Sequence, residues 1–593
     1  MQLPDSVADS ALAKLFTGDA MAREVTWFSL PGGQTLCETG ETADQLFFLR
    51  TGRLGAIRRE EGQEPQFLGV IRPGEPAGEM AMIAGTRHSA TVVALRDSEI
   101  LAMPRAVFLK AAEHDAAVMI ELARLMMLRA RQTATRTPIG EPSVFGFIGV
   151  TGEVAARELV EALAAAIEAF GYTVATLGDE AQHAPTEWFS NVEQAHDFVL
   201  YAAESGQTAW KHIVGRQVDR LFRVGRGDRT PPIQIDLYAY SALENHRFVD
   251  LILLQPAERV RPIGSETWID AVRPARLFHL RQGHLADVQR MARTLAGLSV
   301  GLVLSGGGAR AYAHIGAIRA LRAAQVPIDF VGGVSMGAII AAALAMGWDD
   351  AEIEWRIRKA FVESSPVDDI AVPLIALSQG EKVRVRLKEH FGETQIADLW
   401  LPFFCISSNL TTGSYQLHQR GSLRASLRAS IAIPGLLPPM TQGDNVLVDG
   451  AVMKNFPADV MRSTHLGPIV GIDVTRGRSI VAADIARPDT VWRWIFSGQW
   501  RKGPPIVSLL LRTATVSTAR DIAANREASD VLVLPKMDDV EIRDWDAFDP
   551  AVAAGREATE QALAKLSRPV VDLRRRPSVA EIEAARPAIS SPG

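Results

Sequence analysis

The chain has 593 residues, 47% of them hydrophobic and 22% charged, an ordinary balance for a folded protein that excludes wholesale disorder and collagen-like repeats. Its 63 Lys and Arg against 69 Asp and Glu leave a net charge of −6, which gives no electrostatic case for a nucleic-acid partner. The two cysteines, Cys37 and Cys405, lie far apart, so neither a disulfide framework nor a zinc pattern is present, and no metal or other cofactor is expected.

The first segment runs to about Thr133, so residues 1–133 are expected to form one domain. Asp5, Asp9 and Lys14 interrupt any apolar leader, which argues against a signal peptide. After an opening helical stretch come short β-like runs at Gln45–Leu49, Gly55–Arg58, Phe67–Ile71 and Ala90–Leu95. Short strands separated by turn residues predict a sandwich or barrel. Val118, Leu122, Leu125, Met126 and Arg129 then recur at helical spacing and predict one helix over Glu113–Gln132. The polar stretch Thr133–Pro142, with two prolines, is a linker.

The second segment, 143–297, alternates strand and helix. Apolar runs at Val144–Val150, Tyr172–Leu177, Asp197–Tyr201 and Val249–Leu254, with an alanine-rich helix over Val154–Phe170, predict a parallel α/β sheet. The first strand–loop–helix imitates a phosphate loop. Gly149-Val150-Thr151-Gly152-Glu153 has no lysine to neutralise a nucleotide's phosphates, so this domain is a degenerate, P-loop-like spacer rather than a nucleotidase.

The third segment spans 298–573, followed by a loose Pro- and Ala-rich tail over 574–593. Strands are expected at Val300–Leu304, Phe330–Val334, Phe403–Ser407, Val446–Val448 and Ile469–Val474, with helices at Ala309–Ala323 and Met336–Met346. Phe330–Trp348 carries no charge but is broken by Gly332, Gly333, Ser335 and Gly337. Its unbroken part is shorter than the about 20 residues a bilayer requires. A buried strand, a tight turn and a buried helix are expected instead, in a cytoplasmic protein with at most peripheral membrane contact. For that contact the candidate is Thr490–Arg501, where Trp492, Trp494, Ile495, Phe496 and Trp500 stand beside Arg493, Arg501 and Lys502; such residues suit a headgroup interface or a packed helix.

Three motifs carry the chemistry. Gly306-Gly307-Gly308-Ala309-Arg310 lies between a strand and a helix, where uncovered backbone N–H groups can hold a negative oxygen. Gly333-Val334-Ser335-Met336-Gly337 places a serine on a sharp strand-to-helix turn, with Gly333 and Gly337 relieving crowding. Asp449-Gly450-Ala451 ends a short β run, and a carboxylate held close can take a serine proton. His465 is the only histidine after Asp449, and the glycine run ends only 27 residues before the serine. Both points favour a Ser–Asp pair over a Ser–Asp–His triad.

These motifs resemble the patatin-like phospholipase domain, as do His314-Ile315-Gly316, Ala429-Ser430-Ile431-Ala432-Ile433-Pro434 and Asn455-Phe456-Pro457. The resemblance implies an α/β fold of the patatin type, Ser335 as nucleophile, Asp449 as its base and an oxyanion hole around Gly307 and Gly308. The first segment resembles a cyclic-nucleotide-binding domain through Gly78-Glu79 and Ser89-Ala90-Thr91-Val92. That order of domains, with His196–Tyr201 and Leu253–Pro256 in the middle, is similar to the neuropathy-target-esterase-like lysophospholipases, and implies (lyso)phospholipid substrates with no cofactor. The rival expectation is a cyclic-nucleotide-responsive scaffold whose hydrolase has lapsed. By the resemblance a nucleotide would need Glu79 for its ribose and an arginine three residues before Thr91. That place holds His88, with Arg87 one position further. Either the β-fold persists without a nucleotide, or an extra loop residue lets Arg87 swing in.

Overall fold

The computed structural model describes residues 24–58, 66–113, 116–135, 142–206, 208–232, 249–363, 369, 375–465, 467–475, 519–537 and 540–581. The chain divides into two compact units. One comprises Met1–Leu254, Ala271–Leu280 and Pro577–Gly593, the other Gln255–Asp270 and Arg281–Arg576.

The first unit opens with antiparallel β1 (Thr26–Leu30), β2 (Thr35–Cys37), β3 (Gln45–Arg58), β4 (Gln66–Ile71), β5 (Pro76–Ala77) and β6 (Thr91–Pro104), with the path β1-β6-β3-β4 and β2 and β5 added to β6 and β3. Two of the runs expected from sequence merge into the one 14-residue strand β3. Gly52, at φ 95°, marks the register shifts where β3 bends along β6; an extra residue at a bulge lets one strand curve instead of ending. Leu46, Phe48, Leu101 and Met103 fill the core on which the helix Arg105–Ala112 lies. The single helix expected over 113–132 is the helix Ala116–Thr135, and Arg105–Ala112 is a separate helix ahead of it.

Six strands follow: β7 (Val144–Gly149), β8 (Val174–Leu177), β9 (Phe198–Ala203), β10 (Arg220–Arg226), β11 (Val249–Gln255) and β12 (Leu277–Arg281), in the order β12-β11-β10-β7-β9-β8. β7 and β9 are buried along their whole length, as expected of strands covered on both faces. The sequence hides β10, because its three arginines mask the apolar pattern. In the fold Arg220 and Arg276 close on the buried Asp250 at 2.5 and 2.6 Å. The barrel strands meet this sheet through buried charges. Arg53 of β3 pairs with Asp219, and Arg96 of β6 pairs with Glu193 at 2.6 Å. Within the expected loose tail, Val579 N donates to Asp197 Oδ1 at 2.6 Å, so residues 577–581 are tied down.

The second unit is built on β13 (Gly301–Leu304), β14 (Phe330–Val334), β15 (Phe403–Asn409), β16 (Ser414–His418), β17 (Met440–Gln442), β18 (Asn445–Asp449), β19 (Ile469–Ile472) and β20 (Val531–Val533). The order is β17-β18-β15-β14-β13-β19-β20, with β16 on β15. β15, β14, β13, β19 and β20 are parallel, whereas β16, β17 and β18 are antiparallel additions. The helix Met336–Ala345 is buried on every face, which explains its all-apolar sequence. The helix expected from Ala309 begins at Ala313, after a 3₁₀ turn over Gly308–Tyr312. No helix among the described residues is long and apolar enough to cross a membrane.

Candidate active site

Three strand ends bring the motifs together. β13 and β14 are parallel, with Leu304 level with Gly333, so the glycine run and Ser335 leave the sheet side by side. β15 continues beyond β14, and its Ser407, one residue past the Val334–Ile406 pair, is level with Asp449 at the end of antiparallel β18. Strand register therefore delivers the carboxylate to the serine turn.

Ser335 is held at φ 54°, ψ −130°, a region that side-chain-bearing residues rarely occupy, on a sharp strand-to-helix turn. The flanking glycines are required by packing. A Cβ on Gly333 would lie 2.7 Å from the Gly337 carbonyl carbon, and one on Gly337 would lie 2.7 Å from Leu304 O. Ser335 N donates to Ser430 Oγ at 2.9 Å, and Ser430 Oγ donates to Ile406 O at 2.7 Å. Ser430 thus ties the turn to β15. It lies in a motif the sequence displays, but nothing in the pattern revealed this contact across 95 residues.

Ser335 Oγ donates to Asp449 Oδ2 at 2.6 Å. The other oxygen, Oδ1, accepts from Ala451 N at 2.8 Å. Both side chains are buried. Burial pushes the Asp449 carboxyl up to about 7, against the lowering effect of its bonds from Ser335 and Ala451. A carboxyl poised near neutrality can both take and return a proton.

The glycine run abuts this pair: a Cβ on Gly306 would lie 3.0 Å from Ser335 Cβ. Gly306 N donates to Asn455 Oδ1 at 3.1 Å, Ala309 N to Ile542 O at 2.8 Å and Arg310 N to Gly307 O at 3.2 Å. The N–H groups of Gly307 and Gly308 have no hydrogen-bond partner among the described residues, and Gly308 sits at φ 56°. Behind the run, His314 Nε2 donates to Ser305 O at 2.9 Å, and burial holds this imidazole down at about 4. His465 is elsewhere. A Cβ on Gly301, at the start of β13, would run into its ring, which packs on Phe330 with centroids 5.0 Å apart. Ser335 follows the opposite end of the neighbouring strand.

In the N-terminal barrel, Gly78, Glu79 and His88 come together. Glu79 and His88 are buried, and a Cβ on Gly78 would lie 3.0 Å from His88 Cε1. Arg87 is exposed and donates to Gly40 O at 2.7 Å, so it has not swung in. Ser89 is exposed, and Thr91 Oγ1 accepts from Thr39 N at 3.1 Å. In the middle domain, Arg157 N at the start of the helix Ala156–Glu168 donates to Glu204 Oε1 at 3.1 Å. A carboxylate of the chain itself thus takes the place a phosphate would need. The tryptophan-rich stretch with Trp492, Trp494 and Trp500 lies outside the described residues.

Comparison with known proteins gives three family matches along the chain. They are a cyclic nucleotide-binding domain over residues 27–115, a neuropathy target esterase family P-loop like domain over 162–291, and a patatin-like phospholipase over 302–462. An uncharacterized NTE family protein of Mycobacterium tuberculosis is 32% identical over 92% of this chain and 93% of its own length. Neuropathy target esterase of Drosophila melanogaster is 26% identical over 84% of this chain and 39% of its own. A lysophospholipase of Aspergillus fumigatus is 24% identical over 91% and 42%. The chain thus spans less than half the length of the two eukaryotic relatives.

Proposed function

Since the chain belongs to the NTE family and is a lipid carboxylic ester hydrolase with a patatin-like phospholipase domain, we propose that it cleaves (lyso)phospholipid esters with Ser335 and Asp449 alone as nucleophile and base. The observation that carries this reading is the buried 2.6 Å bond from Ser335 Oγ to Asp449 Oδ2. As Oγ attacks the ester carbonyl, its proton passes to Asp449 and the carbonyl oxygen gains negative charge. The N–H groups of Gly307 and Gly308 are the donors for that oxygen. Collapse expels the alcohol, which takes the proton back from Asp449, and leaves the acyl group on Ser335. Water, deprotonated by Asp449, then releases the fatty acid and restores the serine.

Lysophospholipid as substrate rests on the relatives' activity. The rival, a scaffold with a lapsed hydrolase, is disfavoured because the serine, the carboxylate and two open donors are all in place. The deciding experiment is fluorophosphonate labelling with mass mapping, followed by a panel of lysophospholipids and p-nitrophenyl esters. Label on Ser335 with hydrolysis of the panel, both lost in Ser335→Ala, is expected. A folded wild-type chain that takes no label and cleaves nothing would overturn the reading.

A further inference from the structure

The glycine loop is held from outside by a chain of polar groups whose donor directions are all forced. Asn455 holds Gly306 by three bonds: its Oδ1 and its backbone O accept from Gly306 N at 3.1 and 3.4 Å, and its Nδ2 donates to Gly306 O at 3.3 Å. The same Nδ2 donates to Thr475 Oγ1 at 3.0 Å. Thr475 Oγ1 donates in turn to Asp473 Oδ1, which also accepts from Thr475 N at 2.8 Å. Asp473 is buried, and its Oδ2 accepts from Nε and Nη2 of Arg526 at 2.8 and 2.6 Å. Arg526 belongs to the helix Ala519–Glu527 and is half-buried.

An arginine only donates and an ionised carboxylate only accepts. With Arg526 in place, Asp473 stays an acceptor, so the Thr475 hydroxyl must point its proton at Asp473 and its lone pair at Asn455. That fixes the Asn455 amide with Nδ2 toward Thr475 and leaves Oδ1 for Gly306 N. Without Arg526, Asp473 Oδ2 loses both of its N–H donors and the carboxylate is free to rotate. The Thr475 hydroxyl then has no fixed acceptor, its lone pair is no longer held toward Asn455 Nδ2, and the amide that grips Gly306 loses its outer support.

We propose that Asn455 is a positioning residue of the oxyanion loop, and that Arg526, Asp473 and Thr475 set the orientation of its amide. The proposal rests on the hydrolase reading above. It assigns a role in catalysis to an arginine 191 residues along the chain from the nucleophile.

The test measures kcat, KM and thermal unfolding of the full-length protein on a p-nitrophenyl ester, with the rate of Ser335 phosphonylation alongside. Asn455→Leu should lower kcat on the order of 100-fold with KM within about twofold, because a misplaced oxyanion donor acts on the transition state and not on the bound ester. Arg526→Met should lower kcat roughly tenfold at unchanged KM, Arg526→Lys should recover part of that loss, and Asn455→Leu with Arg526→Met should be no slower than Asn455→Leu alone. Additive losses would overturn the relay, as would an Arg526→Met protein with wild-type kcat. So would a loss that Arg526→Lys does not relieve and that follows the folded fraction. If Asn455→Leu does not fold, the two Arg526 variants decide. A wild-type protein that is itself inactive and unlabelled refutes the hydrolase reading, whereas an active wild type with unaffected Arg526 variants refutes the relay alone.

Discussion

Asp449 is the proposed base and also a buried carboxyl pushed up to about 7 by desolvation. As a base it must be ionised, so kcat should rise with pH and level off above about 7. Stability runs the other way. An unfolded aspartate ionises near about 3.9, so between roughly pH 4 and the folded value the native state keeps a proton that the unfolded chain has released. Stability from this group therefore falls as pH rises through that window. His314 and His418, both held down at about 4 by burial, oppose it, because the unfolded chain binds their protons first as pH falls. The clean measurement is a difference: Asp449→Asn should be inactive, yet gain melting temperature over wild type by more at pH 8 than at pH 4.5. A pH-independent difference would show that the carboxyl carries no desolvation penalty. His465→Ala should keep most of its activity when assayed per folded molecule, since that ring sits at the start of β13; an inactive, folded variant would restore the triad.

At the scale of elements, Gly307 and Gly308 of the proposed oxyanion loop part company. On Gly307 a Cβ would press on the Val474 side chain, which can shift. On Gly308 it would strike the Ile542 carbonyl oxygen, and φ 56° disfavours any side chain there. Gly307→Ala should therefore lose activity at near-normal stability, with a barrier increase on the order of 3 kcal/mol if its N–H donor is lost, while Gly308→Ala also lowers the melting temperature. Near-normal turnover by Gly307→Ala would reduce the run to a tight turn. The barrel's cassette is an element of a different kind. Its His88 ring fills the space beside Gly78, and Arg87 is spent on Gly40. Histidine cannot offer a phosphate the permanent, forked charge of arginine. Calorimetry at pH 7.5 should show no binding of micromolar cyclic AMP or cyclic GMP, and His88→Arg should gain it. Wild-type binding that Arg87→Ala abolishes would show that the displaced arginine serves instead.

At the scale of the whole molecule, the first unit ties barrel to α/β sheet through buried charges, Arg53 with Asp219 and Arg96 with Glu193. Asp219 accepts from Ser143 N and Val144 N at 3.0 and 3.1 Å while pairing with Arg53, so it also fixes the entry into β7. Removing one partner of a buried pair strands the other. Asp219→Asn should therefore cost about 3–5 kcal/mol in thermal or denaturant unfolding, whereas joint apolar replacement of Arg53 and Asp219 should cost less. Equal losses for the single and joint variants would assign the effect to the backbone bonds of Asp219 instead.

The sequence by itself determined the order of domains, the serine turn, the carboxylate and the glycine run, because each is written in contiguous residues whose local geometry allows few alternatives. Gly333 and Gly337 around Ser335, and three glycines between strand and helix, carry their steric reason with them. It could not show β10, whose Arg220 becomes intelligible only once Asp250 is beside it, nor that two β runs are one bulged strand. Nor could it rank Ser430 and Asn455 among other polar residues, since their partners lie 95 and 149 residues away. Tertiary structure decided these points because hydrogen-bond direction, desolvation and strand register belong to groups that only the folded chain brings within 3 Å of one another, as it does Ser335 Oγ and Asp449 Oδ2.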